Sequence, residues 1–228
     1  MHKEKEVEAL HSIHVKIPEE TLLKRIGGVQ NGKVSPRIKA GIKKAMEAVN
    51  QYADPKAIYR ILPVVKKNGS VILNGEFFFK SPKLNVLFDF CDKAVVFLVT
   101  LGPKVERVIN ENMESQPHYG VIVDAAASAA AEGAAQYIQD YIEKKLNEEE
   151  KTTLRYSPGY CDWPISEQDE IFKILPHQRI GVELSENSFM SPRKSVSGVI
   201  GICPANSKFS GNVCMNCKKI DCPYRRSN

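Results

Sequence analysis

Four of the six cysteines lie close to the carboxyl terminus: Cys203, Cys214, Cys217 and Cys222, in the run CPANSKFSGNVCMNCKKIDCPYRR. A C-x-x-C pair, a further cysteine five residues on and a fourth upstream make a ligand set for tetrahedral zinc or for an iron–sulfur centre. Lys218, Lys219, Arg225 and Arg226 flank these thiols, and nearby positive charge favours the thiolate that a metal binds. Zinc has the better precedent in spacing, whereas Cys222-Pro223 has the proline that follows a ligand cysteine in ferredoxin-type sequences.

Three upstream stretches could carry further chemistry. LRYSPGYCDWP gathers Arg155, Tyr156, Tyr160, the only tryptophan, two prolines and Gly159. A guanidinium fork suits a carboxylate or phosphate, and rigidly held aromatics can cover a planar ligand; a packed turn between strand and helix has the same composition. Asp124, Ser128, Glu132, Gln136 and Asp140 recur every four residues, which draws a slowly drifting polar stripe along a helix. The plain reading is the helix's wet face. The sharper one places Glu132, beside Gly133, opposite a cationic ligand in a crevice. MSPRKSVSG, residues 190–198, is a basic loop able to hold an anion or simply to lie at the surface.

The elements that must position these groups are legible in outline. Pro18 near its start and Gly27-Gly28 at its end bound a first helix. Ser35-Pro36 opens a second, with Ile38, Ile42, Ala45, Met46 and Val49 on one face. AIYRILPVV, SVIL and EFFF read as strands joined at Asn68-Gly69 and Asn74-Gly75, both hairpin signals. Ser81-Pro82 starts a short helix, KAVVFLVTLG is a buried strand, and Pro103 begins a helix through Met113. The alanine-rich stretch from about Tyr119 to Lys145 is the longest helix, with Gly133 admitting a close neighbour. From Leu154 come a strand, a loop, the helix SEQDEIFKIL and two strands, IGVELS and SVSGVIGI. Helices mixed with antiparallel-looking strands, without βαβ regularity, predict an α+β fold: a largely antiparallel sheet with packed helices.

Composition narrows the function classes. With 228 residues, 43% hydrophobic and 26% charged, the chain has ordinary globular composition and length enough for a real core. The net charge of +5 is spread among acidic neighbours, as in EKKLNEEEK, which argues against a nucleic-acid surface. No signal-peptide core opens the sequence, and no apolar run is of spanning length, so a cytoplasmic location without membrane contact is expected. There thiols stay reduced, and clustered cysteines favour metal chemistry over disulfides.

RYSPGYCDWP, a short helix and then IGVELSENSFMSPRKSVSGVIG, in this order, resemble the activation (reactivation) domain of cobalamin-dependent methionine synthase. The R-x-x-P-G-Y core and the G-x-x-L-[ST]-E…M-x-P…S-V-S-G run are specific in combination, and AEGAAQYI is similar to that family's A-E-x-x-A-E-Y-L helix. The resemblance spans roughly Lys93 to Gly201. It implies a domain that binds S-adenosylmethionine in a shallow groove and docks over a corrinoid, supporting reductive methylation of cob(II)alamin. Arg155 then matches the arginine on the ligand's carboxylate, Ser157 a position where backbone groups meet the ligand, Tyr160 the tyrosine at the corrinoid boundary, and Glu132 a glutamate near the ligand's positive charge.

The sequence also departs from that family. Its P-A-C-P after the tyrosine is Cys161-Asp162-Trp163-Pro164 here, a tyrosine after the last strand falls near Phe209, and an amino-terminal aspartate contact has no match. The D-x-H-x-x-G signature of cobalamin binding is missing from the sequence, so the resemblance implies cobalamin supplied by a partner. That partner is the corrinoid-binding subunit of a split methionine synthase or a related methyltransferase, with flavodoxin or ferredoxin as electron donor. A metal-bearing tail fits such a role, because reactivation needs one low-potential electron. Residues 1–202 are expected to form the activation-type domain and 203–228 the metal-binding tail, with Cys161 a further candidate ligand. The competing reading is a non-enzymatic adaptor, stabilised by zinc, for a corrinoid methyltransferase complex. A third is a methyltransferase component for a substrate other than homocysteine.

Overall fold

The computed structural model describes residues 7–11, 13–26, 29–30 and 33–207. Its centre is a seven-stranded sheet in which every pairing is antiparallel. β1 (Glu8–His11) is followed by α1 (Glu19–Ile26), a small hairpin of β2 (Val29–Gln30) and β3 (Lys33–Val34), and α2 (Pro36–Tyr52). Next come β4 (Lys56–Lys67), β5 (Ser70–Leu73), β6 (Phe77–Phe79), α3 (Pro82–Leu87) and β7 (Lys93–Thr100). Then α4 (Pro103–Ser115) and α5 (Pro117–Glu143) lead to β8 (Glu150–Thr152), α6 (Gln168–Ile174), a second small hairpin of β9 (Glu183–Leu184) and β10 (Met190–Ser191), and β11 (Ser195–Pro204).

The strand order is β6-β5-β4-β7-β11-β8, with β1 beside the start of β4. The expected α+β architecture is the observed one. Asn68-Gly69 and Asn74-Gly75 do turn the two hairpins, each with positive φ at both residues, the conformation that matches the twist of the flanking strands. Ser35 and Ser81 cap α2 and α3, each accepting a backbone N–H three residues on, and proline follows each cap. β1 was not foreseen. Its four residues EALH carry no alternation, and pairing with the edge of β4 is what holds them extended.

Both faces of the sheet are covered. α1, α2, α4 and α5 lie over Ala57, Tyr59, Val95, Phe97, Val99, Ile200 and Ile202. α3, α6 and the 156–164 loop lie over Ile58, Leu62, Ala94, Val96, Leu98 and Val199. Burial on both sides is why β7 reads as an unbroken apolar run, although its neighbours are antiparallel. α5 spans the helical layer and turns its alanines inward, so its backbone lies close to its neighbours. At Gly133 a Cβ would stand 2.2 Å from the Lys16 carbonyl oxygen, so the close neighbour there is the chain leading into α1.

One expectation is overturned here. Cys203 is not a tail residue: it lies in β11, 1% exposed, and is disulfide-bonded to Cys91. A buried sulfur committed to another sulfur is no thiolate ligand, so Cys203 leaves the metal set proposed for it. Cys214, Cys217 and Cys222, and likewise Phe209, lie outside the described residues. Among the described residues no cluster of His, Cys, Asp and Glu is arranged to hold a metal, and no helix is long and apolar enough to cross a membrane.

Candidate functional site

The segment after β8 continues along the outer edge of β11, but not in register. Thr152 lies opposite Ile202, whereas Tyr156 lies opposite Val199, so four steps on one strand answer three on the other. One extra residue on one strand is a β-bulge, which bends the strand and re-aims its side chains. Thr153 bridges the gap: its N–H donates to Gly201 O at 2.9 Å, and its Oγ1 accepts from Gly201 N at 2.9 Å. The ladder resumes where Tyr156 and Val199 exchange bonds of 2.9 and 2.8 Å. Leu154 and Arg155 occupy the displaced stretch, and Arg155 turns toward α5.

There it meets the polar stripe. Arg155 Nη2 donates to Glu132 Oε2 at 3.3 Å, and Nη1 donates to Gln136 Oε1 at 2.6 Å and Gln139 Oε1 at 3.4 Å. Its side chain is only 9% exposed, that of Glu132 30%. Gln139 is oriented in turn, because its Nε2 donates to Thr153 O, Thr152 Oγ1 and Glu143 Oε1. The amide oxygen is thereby left facing the guanidinium. Arg155 and Glu132, 23 residues apart in the chain, are thus brought together.

The same stripe carries a second ion pair. Lys194 Nζ sits 2.8 Å from Asp124 Oδ1 and donates to Ser128 Oγ at 2.8 Å. Arg193, its neighbour, reaches α4 through Glu106 and Asn110. The basic loop 190–198 is therefore a clamp across α4 and α5, with both its cations matched to carboxylates. Sequence reading named the stripe but gave it no partners. The four-residue spacing was the available signal, whereas the residues across from it come from the loop just before β11 and from the bulge.

The aromatic half of the motif is a rigid wall. Tyr156 and Trp163 stack with centroids 5.5 Å apart, and Phe79 meets the indole edge-on. Trp163 Nε1 donates to Glu167 Oε2 at 2.7 Å, and the same carboxylate accepts from Lys80 N. Tyr156 Oη lies within hydrogen-bonding distance of Tyr160 O and of Asp162 Oδ1, at 3.0 and 3.1 Å. Burial, then Cys161 and Asp162, push the Tyr156 phenol above its ordinary range, so it remains a neutral donor at physiological pH. Asp162, one of the departures from the family pattern, also accepts from Ser81 Oγ and Lys83 N at the start of α3. An anion suits that helix end.

Ser157 is 8% exposed and packs onto β11 at Gly198, where a Cβ would lie 2.8 Å from Ser157 Oγ and 2.8 Å from Tyr156 O. Tyr160 is 41% exposed, and its backbone carbonyl lies 3.0 Å from Tyr156 Oη. Cys161 beside it is exposed, outside any disulfide, and has φ of 51°. The site thus joins two cation–carboxylate pairs along the α5 stripe, one from the bulge and one from the loop before β11, while the buried Tyr156–Trp163 stack anchors the following loop on the other face of the sheet.

A family model described as "Vitamin B12 dependent methionine synthase, activation domain" matches residues 86–221. The chain belongs to that family. The match takes in the α5 stripe, the 155–164 segment and Lys194, whereas Phe79, Lys80, Ser81 and Lys83 precede it. Among solved structures the fold is similar to the "Crystal Structure of the MetH Reactivation Domain bound to AdoHcy", with 18% identity and a TM-score of 0.61. That likeness covers 90% of this chain and 81% of the other, so the amino-terminal third, where sequence resemblance is weak, shares the fold as well. No match was found among curated protein sequences.

Proposed function

We propose that the chain binds S-adenosylmethionine between α5 and the bulged segment after β8, and that it supports reductive methylation of cob(II)alamin carried by a separate corrinoid protein. The observation that carries this reading is the Arg155 guanidinium, nearly buried on the stripe beside Glu132. A guanidinium fork is the best side-chain partner for the ligand's carboxylate. Glu132, more exposed than Arg155, offers a carboxylate to the ligand's ammonium and sulfonium charges. Family membership and a fold shared with a reactivation domain crystallised with AdoHcy both support the same ligand class.

When bound, S-adenosylmethionine supplies a methyl group from its sulfonium and leaves as a neutral thioether. The residues of this chain do the holding. Arg155 fixes the amino-acid end, and Gln136 and Gln139 keep the guanidinium from swinging into water. The buried Tyr156–Trp163 stack keeps the loop rigid, and exposed Tyr160 is the residue proposed to face the corrinoid partner. The electron comes from a donor of the flavodoxin or ferredoxin class. Cys214, Cys217 and Cys222 remain a thiolate set for zinc or an iron–sulfur cluster; without Cys203 a fourth ligand must come from elsewhere.

Titration calorimetry tests the groove. The wild type is expected to bind S-adenosylmethionine and Arg155→Ala to bind at least tenfold more weakly, since a charge-assisted hydrogen bond is worth roughly 1.5–3 kcal/mol. No binding by the wild type would remove the proposal. Metal and sulfide analysis of anaerobically prepared protein decides the tail: iron with sulfide supports an electron-transfer role, and stoichiometric zinc removes it.

A further inference from the structure

The Cys91–Cys203 disulfide stands directly behind the bulge. Cys91 ends the turn after α3, Cys203 lies in β11, and Gly201 precedes Cys203 by two residues, on the same face of that strand. A Cβ at Gly201 would meet Cys91 Sγ at 2.6 Å, Thr153 Cγ2 at 2.9 Å and Phe88 Cδ1 at 3.1 Å. The bare glycine is therefore where the sulfur, the bulge and the α3 turn close on one another. Thr153 is 2% exposed and pairs with Gly201 through both its N–H and its Oγ1. Cys203 itself lies opposite Lys151 of β8, two residues before Thr153.

Thr153 is also the residue from which Arg155 is aimed. Its carbonyl accepts from Gln139 Nε2, which leaves the Gln139 amide oxygen toward the guanidinium, and Arg155 follows two residues on. A protein interior is close-packed, so a sulfur that moves there displaces what it touches. Breaking the bond sets the two sulfurs at van der Waals rather than covalent separation, and each gains a hydrogen. Cys203 is fixed in a strand paired to both β7 and β8, so the displacement falls on Cys91 and on its contacts, Gly201 and Thr153.

We propose that the Cys91–Cys203 pair is a redox switch of the site. As a disulfide it holds Thr153 and the bulge in the arrangement that aims Arg155; as a dithiol it releases them and lowers the affinity for S-adenosylmethionine. This rests on the S-adenosylmethionine reading above. Reduction is a two-electron exchange with a dithiol reductant. A thiolate of the reductant attacks Cys91 Sγ, since Cys91 is the more exposed of the two at 9% against 1%, and Cys203 leaves as a thiolate. The reductant's second thiolate then displaces Cys91 from the mixed disulfide. The reductant ends as a disulfide, and its two protons end on Cys91 and Cys203. The reverse exchange, with an oxidised partner of the same class, restores the bond. The direction suits reactivation, because conditions that oxidise cob(I)alamin to cob(II)alamin also hold the pair as a disulfide.

The test is calorimetry on the full chain with S-adenosylmethionine, before and after treatment with dithiothreitol, the state of the Cys91–Cys203 pair being read by alkylation and peptide mass spectrometry. A released bulge that keeps the aimed arrangement about a fifth of the time raises the apparent Kd roughly fivefold, and that rise is expected on reduction. Cys91→Ala, which cannot form the bond, is expected to bind like the reduced wild type and to be unaffected by dithiothreitol. Thr153→Val keeps the disulfide but removes the Oγ1 contact with Gly201 N, so the effect of dithiothreitol should fall below about twofold. Equal or tighter binding by the reduced wild type would overturn the proposal, a result that needs no variant to fold. A Cys91→Ala variant that still responds to dithiothreitol would overturn it too, since other cysteines would then carry the response, as would Thr153→Val with the full response. Absence of binding in both states would overturn the S-adenosylmethionine reading itself, and this inference with it.

Discussion

Gly198→Ala probes the contact on which the groove depends. The added Cβ would stand 2.8 Å from Ser157 Oγ, 2.8 Å from Tyr156 O and 3.0 Å from Phe97 Cε1. The serine hydroxyl can rotate away, but the Tyr156 carbonyl cannot, because it accepts from Val199 N and ends the bulge. Overpacking of this kind costs about 1–3 kcal/mol, and loss of the bridging hydrogen bond adds about 1 kcal/mol. For a chain of this size each kcal/mol lowers Tm by roughly 2–4 °C, so the variant should melt roughly 5–12 °C below the wild type. Circular dichroism during a thermal scan reads this. Ser157→Ala combined with Gly198→Ala should recover less than half of the loss, since only the side-chain contact is relieved. S-adenosylmethionine affinity should fall as well, because Arg155 is displaced along with the bulge. A single variant melting within about a degree of the wild type would refute the reasoning: the segment would not be held that close to β11.

Further expectations follow from other contacts. Arg155→Lys keeps the charge but loses the fork that reaches Glu132, Gln136 and Gln139 together, so ligand affinity should drop about tenfold with little change in Tm; affinity equal to the wild type would show that the fork is not used. The Cys91–Cys203 bond closes a loop of 112 residues, for which the chain-entropy model gives about 4–5 kcal/mol. Cys91→Ser should therefore melt roughly ten degrees lower, and adding a thiol reductant should lower the wild type toward it but leave the variant unchanged. Glu8 has a lowered pKa: burial opposes this, but hydrogen bonds with Lys145 and Tyr59 outweigh it. Its contribution is therefore complete above the ordinary value of 4.5 and is lost as pH falls through the lower folded value. The pair is 45% exposed on both sides, so Glu8→Gln should remove only a few tenths of a kcal/mol of that acid dependence in urea titrations at pH 7 and pH 3.

The local elements were legible because their signals are local. Ser35-Pro36 and Ser81-Pro82 state where helices begin, and the two Asn-Gly pairs state where strands reverse. Each of these depends on backbone chemistry within a few residues. Arg155 and Glu132 were legible as candidates through a motif resemblance, but their contact was not, since it depends on one extra residue between Thr152 and Tyr156. No composition or period marks that insertion. Lys194 was read only as part of a basic loop, because its partners lie on another element 66 and 70 positions earlier. Cys203 was assigned to the wrong neighbours for a related reason. Spacing groups it with the tail, while β11 carries it into the sheet beside Cys91.

Reactivation itself tests the central claim most directly. A corrinoid protein loaded with cob(II)alamin is mixed with S-adenosylmethionine, reduced flavodoxin and this chain, and the visible spectrum is followed for methylcobalamin. The account predicts conversion that requires the chain and is lost with Arg155→Ala. Conversion that is equal without the chain, or equal with Arg155→Ala, would contradict it.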